Sequence, residues 1–363
     1  MANIELSHIA HTYEPSAPNP VYALKELNLT WRDGGTYSLL GPSGCGKSTM
    51  LNIISGLLIP SRGRVIFDGQ DFTHKATPQR NIAQVFQMPV IYTLMTVGEN
   101  LAFPLLCRGV EKAQCEKRVL EIAELLGLRE RLKSPARRLA ADEKQLVSLG
   151  RGLVRQDVTA VLMDEPLTVI DPQQKFEIRR KLKQINESLG LTMVFVTHDQ
   201  NEAMSFADTV MVMDQGEVVQ AGSPEELYER PRTTFVGYFI GSPAMNFLDC
   251  TLEGGRLHTG GGDIPLPPGV TPPSESAGLK LGIRPRYAGL SAKKGEWSLK
   301  VRLIKVHELG DHWVIRVAVG GAEFNLKTLP GVELPTDRAW VNLPPNKICL
   351  YQDGLLLGTD RAA

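Results

Sequence analysis

The stretch Gly41-Pro42-Ser43-Gly44-Cys45-Gly46-Lys47-Ser48-Thr49 decides how this chain is read. Its spacing is G-x-x-x-x-G-K-[ST], the pattern of a loop that wraps a chain of phosphates. The apolar run Thr36–Leu40 before it reads as a buried strand, and a helix is predicted from Lys47 to about Ile59. Glycines let backbone N–H groups converge on phosphate oxygens, and the helix N-terminus adds a favourable dipole. Lys47 is then set to reach the β- and γ-phosphates of a nucleoside triphosphate, and the Ser48 hydroxyl to ligand Mg²⁺. All nine residues from Gly41 to Thr49 are candidate nucleotide contacts. The competing reading is a chance glycine-rich turn, and the motifs downstream weigh against it.

Two later strand ends point the same way. Val161-Leu162-Met163-Asp164-Glu165 is an apolar run closed by two carboxylates, and ligands of α/β folds sit at the carboxyl ends of strands. Asp164 is a candidate to hold Mg²⁺, through water, and Glu165 to polarise an attacking water. Alone, the pair reads equally well as two solvated acids. Val194-Phe195-Val196-Thr197-His198-Asp199 repeats the arrangement, with His198 a candidate sensor of the γ-phosphate.

The chain has 363 residues, more than one ordinary core holds, so two domains are expected. Apolar residues make up 42% and charged residues 22%, the composition of a globular protein. The formal net charge of zero argues against a general nucleic-acid binder. Five cysteines with no C-x-x-C pair argue against a disulfide framework or a zinc site and fit a reducing cytosol. The N-terminal residues do not read as a secretory signal, and no run is long enough to span a bilayer.

Residues 1–240 alternate strand and helix patterns, with helical spacing over Cys115–Leu126 and Gln174–Leu189, which implies a mostly parallel, covered sheet. Arg64–Phe67, between turn signals, reads as part of a small antiparallel hairpin. The stretch Gly254–Gly278 is dense in glycine and proline, and Ser298–Val306 and His312–Val319 alternate as strands do. Residues 241–363 therefore read as a small all-β domain, expected to be a barrel. His307 and His312 flank Gly310-Asp311, which reads as a solvated hairpin rather than a metal site.

With these residues in place, the chain resembles the ATP-binding subunits of carbohydrate-type ABC importers along nearly its whole length. Val85-Phe86-Gln87 resembles the family's Q-loop, which implies that Gln87 contacts Mg²⁺ or the water and reports to the membrane subunits. Leu167–Asp171 resembles the D-loop, with Asp171 crossing to a partner, and Thr197-His198-Asp199 the switch-histidine motif. Tyr13 stands where the family places an aromatic against adenine; the competing reading is a core tyrosine. Gly241–Phe247 resembles the junction to the accessory OB-like (TOBE) barrel, and Gly282-Ile283-Arg284-Pro285 a motif within it, although Arg286 stands where the family has an acid. The implied fold is a P-loop ABC ATPase domain with a helical subdomain at about 88–157, followed by that barrel. The implied setting is the cytoplasmic face of a bacterial inner membrane. There two transmembrane permease subunits would bind it, around Met88–Cys107, and a periplasmic solute-binding protein would act indirectly.

One departure matters. Where the family carries L-S-G-G-Q, this chain has Leu139-Ala140-Ala141-Asp142-Glu143-Lys144-Gln145, with the register fixed by Leu149–Arg155. In the family, each nucleotide lies between one subunit's phosphate loop and the other's signature. Ala140 has no hydroxyl, Ala141 and Asp142 replace glycines, and Asp142 and Glu143 add negative charge, which Lys144 could offset. At roughly 6 Å and an effective dielectric of about 20, each charge pair costs on the order of 3 kcal/mol. The expectation is an asymmetric heterodimer with a second ABC ATPase whose signature is intact. Ser148–Arg155, Pro166–Pro172 and Asn52–Leu58 resemble one of the two non-identical ATPases of bacterial glycerol importers. The alternatives are a homodimeric sugar or glycerol-phosphate importer ATPase and a nucleotide-sensing subunit that does not hydrolyse. Glu165 and His198 argue against sensing alone.

Overall fold

A computed structural model describes residues 3–272, 278–332, 334–335 and 339–358. It divides into two compact units, Met1–Pro224 and Glu225–Ala363.

The first unit is built on a six-stranded sheet in the order Glu217–Gly222, Thr209–Asp214, Thr36–Leu40, Met193–Thr197, Val161–Asp164, Ala83–Val85. All neighbours are parallel except the edge pair Glu217–Gly222 and Thr209–Asp214. The central strands are buried along their whole length, which is why they read as continuous apolar runs rather than alternating ones. An antiparallel sheet, ordered Leu24–Trp31, Ile4–His11, Arg62–Phe67, Gln70–Asp71, shares their core through Trp31, Ile4, Val65 and Phe67. The hairpin expected at Arg64–Phe67 is present; its turn is Asp68-Gly69, both residues at positive φ.

Helix Lys47–Ser55 leaves the sheet centre. It ends four residues before the expected Ile59, because Gly56 adopts a left-handed conformation (φ 81°) and its N–H closes on the Ile53 carbonyl. Helices Val97–Leu106, Lys112–Leu125 and Ala141–Leu153 pack together. Gly150 permits that packing, since a Cβ there would meet Leu101 Cδ2 at 2.6 Å. Helix Pro172–Leu189 is capped by Asp171, whose carboxylate accepts from the Gln173 N–H at 2.9 Å.

Among its described residues the second unit is all-β beyond two short α-helices, Pro224–Glu229 and Thr234–Phe239, and a single 3-10 turn at Pro345–Lys347. One sheet orders Gly262–Pro265, Arg256–Thr259, Asn246–Glu253, Leu279–Ile283, Cys349–Gln352 and Leu355–Leu356. The other orders Gly289–Ser291, Ala339–Asn342, Ser298–Glu308, Trp313–Val319 and Ala322–Thr328. Leu281, Ile283, Leu299, Val317, Phe324 and Val341 fill the space between them. Buried Arg284 donates to the carbonyls of Leu227, Tyr228, Gly237 and Ile240, so both short helices are tied to this unit although the sequence reading stopped the first domain after them. His312 pairs with Asp311 at 2.7 Å, and no cluster of metal-ligating side chains occurs among the described residues.

Candidate active site

Four neighbouring parallel strands end together. Leu40 pairs with Thr197, Asp164 with Val196 and Val85 with Met163, so the residues that follow emerge along one sheet edge. In spatial order that edge presents the loop Gly41–Thr49, then His198, then Asp164 and Glu165, then Gln87. The register places residues there that lie more than a hundred positions apart in sequence.

Within the loop, Gly44 and Gly46 take φ of +82° and +101°, values that glycine adopts without the steric cost other residues incur. A Cβ on Gly46 would stand 2.5 Å from the Ala23 carbonyl oxygen, and one on Gly41 2.3 Å from that of Met213. Glycine at both positions is therefore a packing requirement as well as a conformational one. Nothing lies within 4 Å of the Cβ position of Gly44, which leaves that part of the loop open for close approach. Lys47 is 6% exposed, and its Nζ donates to the Gly41 and Pro42 carbonyls at 2.8 Å, so the ammonium is held inside the loop's curve. The Cys45 thiol lies 3.8 Å from Lys47 Nζ; burial pushes its pKa up against the pull of that ammonium. Tyr13 is 63% exposed rather than core, with its hydroxyl 3.1 Å from Thr49 Oγ1.

Ser48 Oγ donates to Asp164 Oδ1 at 3.3 Å. Burial raises the Asp164 carboxyl above its ordinary range, and neighbouring Glu165 adds to the rise, while the Ser48 hydrogen bond and Lys47 oppose it. A cation bound here would offset that cost. Ser48, Asp164 and the amide oxygen of Gln87 are hard oxygen donors of the kind Mg²⁺ takes, so the residues fit that ion.

Glu165 stands at φ 45°, strained for a non-glycine residue. Three side chains converge on its Oε2: His198 Nδ1 at 3.1 Å, Gln87 Nε2 at 3.4 Å and Thr168 Oγ1 at 3.4 Å. Sequence reasoning missed Thr168 as a partner, although a hydroxyl three residues after Glu165 was a readable signal. It also missed Glu202, which accepts from Thr197 Oγ1 at 2.7 Å and pairs with Lys175 at 3.0 Å, fixing the strand end that carries His198. No spacing in the sequence announces that network.

The altered signature opens helix Ala141–Leu153, with Ala140 at the N-cap. Ala140 offers no side-chain oxygen to the helix N-terminus. Glu143 turns back instead, accepting from the Ala140 N–H at 3.1 Å and pairing with Arg131 at 3.1 Å. Glu143 therefore has beside it a cation that the sequence reading did not name, Arg131, while Asp142 and Lys144 make no ion pair among the described residues. Gln145 is buried, and its Nε2 donates to the Phe86 carbonyl at 3.2 Å, linking this helix to the residue before Gln87.

A glycine-lined loop with an inward lysine, beside a carboxylate on a strained backbone, is the working edge of a P-loop ATPase. The family profile described as ABC transporter matches residues 24–168, and the one described as MalK OB fold domain matches 241–285. The trehalose/maltose import ATP-binding protein MalK of Thermococcus litoralis is 40% identical over 84% of this chain and 86% of its own length. The sn-glycerol-3-phosphate import ATP-binding protein UgpC of Vibrio cholerae is 37% identical over 88% and 84%. Among solved structures, cbiO1 of Clostridium perfringens, part of an ABC transporter complex, superposes with a TM-score of 0.57 at 26% identity, over 62% of this chain and 90% of that one. A dimeric ATP-binding cassette bound to ADP and inorganic phosphate gives 0.55 at 31% identity, over 61% and 98%. This chain belongs to the family of ABC importer ATP-binding subunits that includes MalK, UgpC and SugC, and it is an ABC transport ATPase.

Proposed function

We propose that this chain drives import of a small polyol, glycerol, as one half of an asymmetric ATPase pair. Gly41–Thr49 holds the phosphates of ATP, and Tyr13 stacks on adenine. Ser48, Asp164 and Gln87 hold Mg²⁺, which when bound neutralises charge on the phosphates. Glu165 polarises the water that attacks the γ-phosphate, while His198 and Gln87 orient its carboxylate. The partner subunit is a second ABC ATPase with an intact signature. Two permease subunits dock over Met88–Cys107, where Met88, Val90 and Leu94 are exposed apolar residues, and a periplasmic protein delivers the solute. No helix among the described residues is long and apolar enough to cross a membrane, consistent with a peripheral place on the cytoplasmic face of the inner membrane.

The observation that carries the asymmetry is Ala140. The signature helix begins on a residue with no hydroxyl while the chain's own phosphate loop and carboxylates are complete. The glycerol reading rests on the sequence resemblance. The named relatives favour a second reading, a homodimeric importer of disaccharide or glycerol phosphate. Affinity purification of the tagged chain from its native membrane separates the two. A second, non-identical ATPase with an intact signature is expected; recovery of this chain as the sole ATPase overturns the pairing.

A further inference from the structure

A cleft of about 1180 Å³ in the second unit is lined by none of the candidate active-site residues. Its charged wall is Glu225, Glu229, Arg230, Arg286 and Lys347, three cations against two carboxylates. Glu229 is already engaged. It accepts from the Tyr287 hydroxyl and from Lys347 Nζ, the latter at 2.7 Å, and these partners hold its carboxyl below its ordinary range despite burial. Lys347, engaged by Glu229 and Tyr287, keeps one further N–H donor and lies 4.5 Å from the Tyr287 ring centroid.

Arg286 differs. It is exposed, its guanidinium stands 5.2 Å from the Tyr287 centroid and 6.0 Å from that of Tyr228, and among the described residues it makes no direct ion pair, though its charge helps hold the Glu229 carboxyl down. A guanidinium braced by aromatic rings presents its fork to an anion with little side-chain entropy left to lose. Beside it, Tyr228, Tyr287, Val270 and Ile348 offer faces for a small organic body. The balance of one net positive charge, a bidentate donor and an ammonium with a spare donor suits a tetrahedral oxyanion.

We propose that this cleft binds a small phosphomonoester, a phosphorylated sugar or polyol. The site lies wholly within the second unit and does not depend on how the ATPase subunits pair.

Isothermal titration calorimetry on the full chain tests it with glucose 6-phosphate, ribose 5-phosphate and sn-glycerol 3-phosphate, against glucose, gluconate and inorganic phosphate. At least one ester should bind where glucose and gluconate do not. Arg286→Ala should weaken it about tenfold or more, Arg286→Lys less, and Lys47→Ala should leave it unchanged. Thermal melting confirms that each variant is folded. Failure of all three esters overturns the proposal, as does binding that survives Arg286→Ala or disappears with Lys47→Ala. Gluconate binding as well as the esters overturns the phosphate class, and inorganic phosphate matching them overturns the ester.

Discussion

His198 Nδ1 lies 3.1 Å from Glu165 Oε2, across two strands that are neighbours in the sheet but distant in sequence. The contact engages one carboxylate oxygen of Glu165, the one that Gln87 and Thr168 also approach. Replacing Glu165 by Gln keeps the shape and removes the carboxylate proposed as the base. Turnover of the assembled transporter should fall by about 10²- to 10⁴-fold, with ATP binding retained. Steady-state ATPase assays paired with nucleotide titration measure both, and unchanged turnover would favour a sensing role.

Lys47 is held inside the loop by two carbonyl hydrogen bonds. Lys47→Ala should weaken ATP binding by roughly tenfold or more, the loss expected for hydrogen bonds to a charged group. Fluorescent-nucleotide titration reads this directly. A variant binding as tightly as the parent would remove the phosphate loop from the account.

Asp164 bears on stability. Its carboxyl titrates above the ordinary range, so the folded chain holds that proton more tightly than the unfolded one. The resulting stabilisation is full below the ordinary aspartate pKa and is lost as pH rises through the raised value. Asp164→Asn removes the buried charge. It should raise Tm by about 2 °C near pH 7 in Mg²⁺-free buffer, with the difference vanishing in acid below the unfolded pKa. Added Mg²⁺ should stabilise the parent and not the variant. Calorimetric melts across pH, with and without Mg²⁺, check each sign.

Arg284 is 2% exposed and satisfies carbonyls of two helices while stacking 4.4 Å over Tyr228. Arg284→Ala strands those acceptors and should cost the second unit about 3–5 kcal/mol. Urea melts followed by near-ultraviolet circular dichroism measure the loss.

Much of this architecture was legible in the sequence. The parallel strands read as unbroken apolar runs because both their faces are covered, and Gly46 and Gly41 read as a loop because a Cβ fits at neither. Helix Lys47–Ser55 was read too long, since the left-handed Gly56 ends a pattern whose apolar spacing continues through Leu57 and Leu58. The convergence on Glu165 depended on register, which no local pattern encodes. Only family resemblance brought Gln87 to it, and nothing brought Glu202. The Arg131–Glu143 pair was likewise invisible in the sequence.

The central claim is that this chain's phosphate loop works only opposite another subunit's signature. The decisive measurement is ATP turnover by the purified chain alone and by Ala140→Ser/Ala141→Gly/Asp142→Gly, which restores the hydroxyl and the close backbone approach. The account predicts little turnover from the parent and a rise of about tenfold or more in the restored variant, as expected for an added hydrogen bond to charged phosphate and removal of a like charge. Robust turnover by the parent alone, unchanged in the variant, would contradict it.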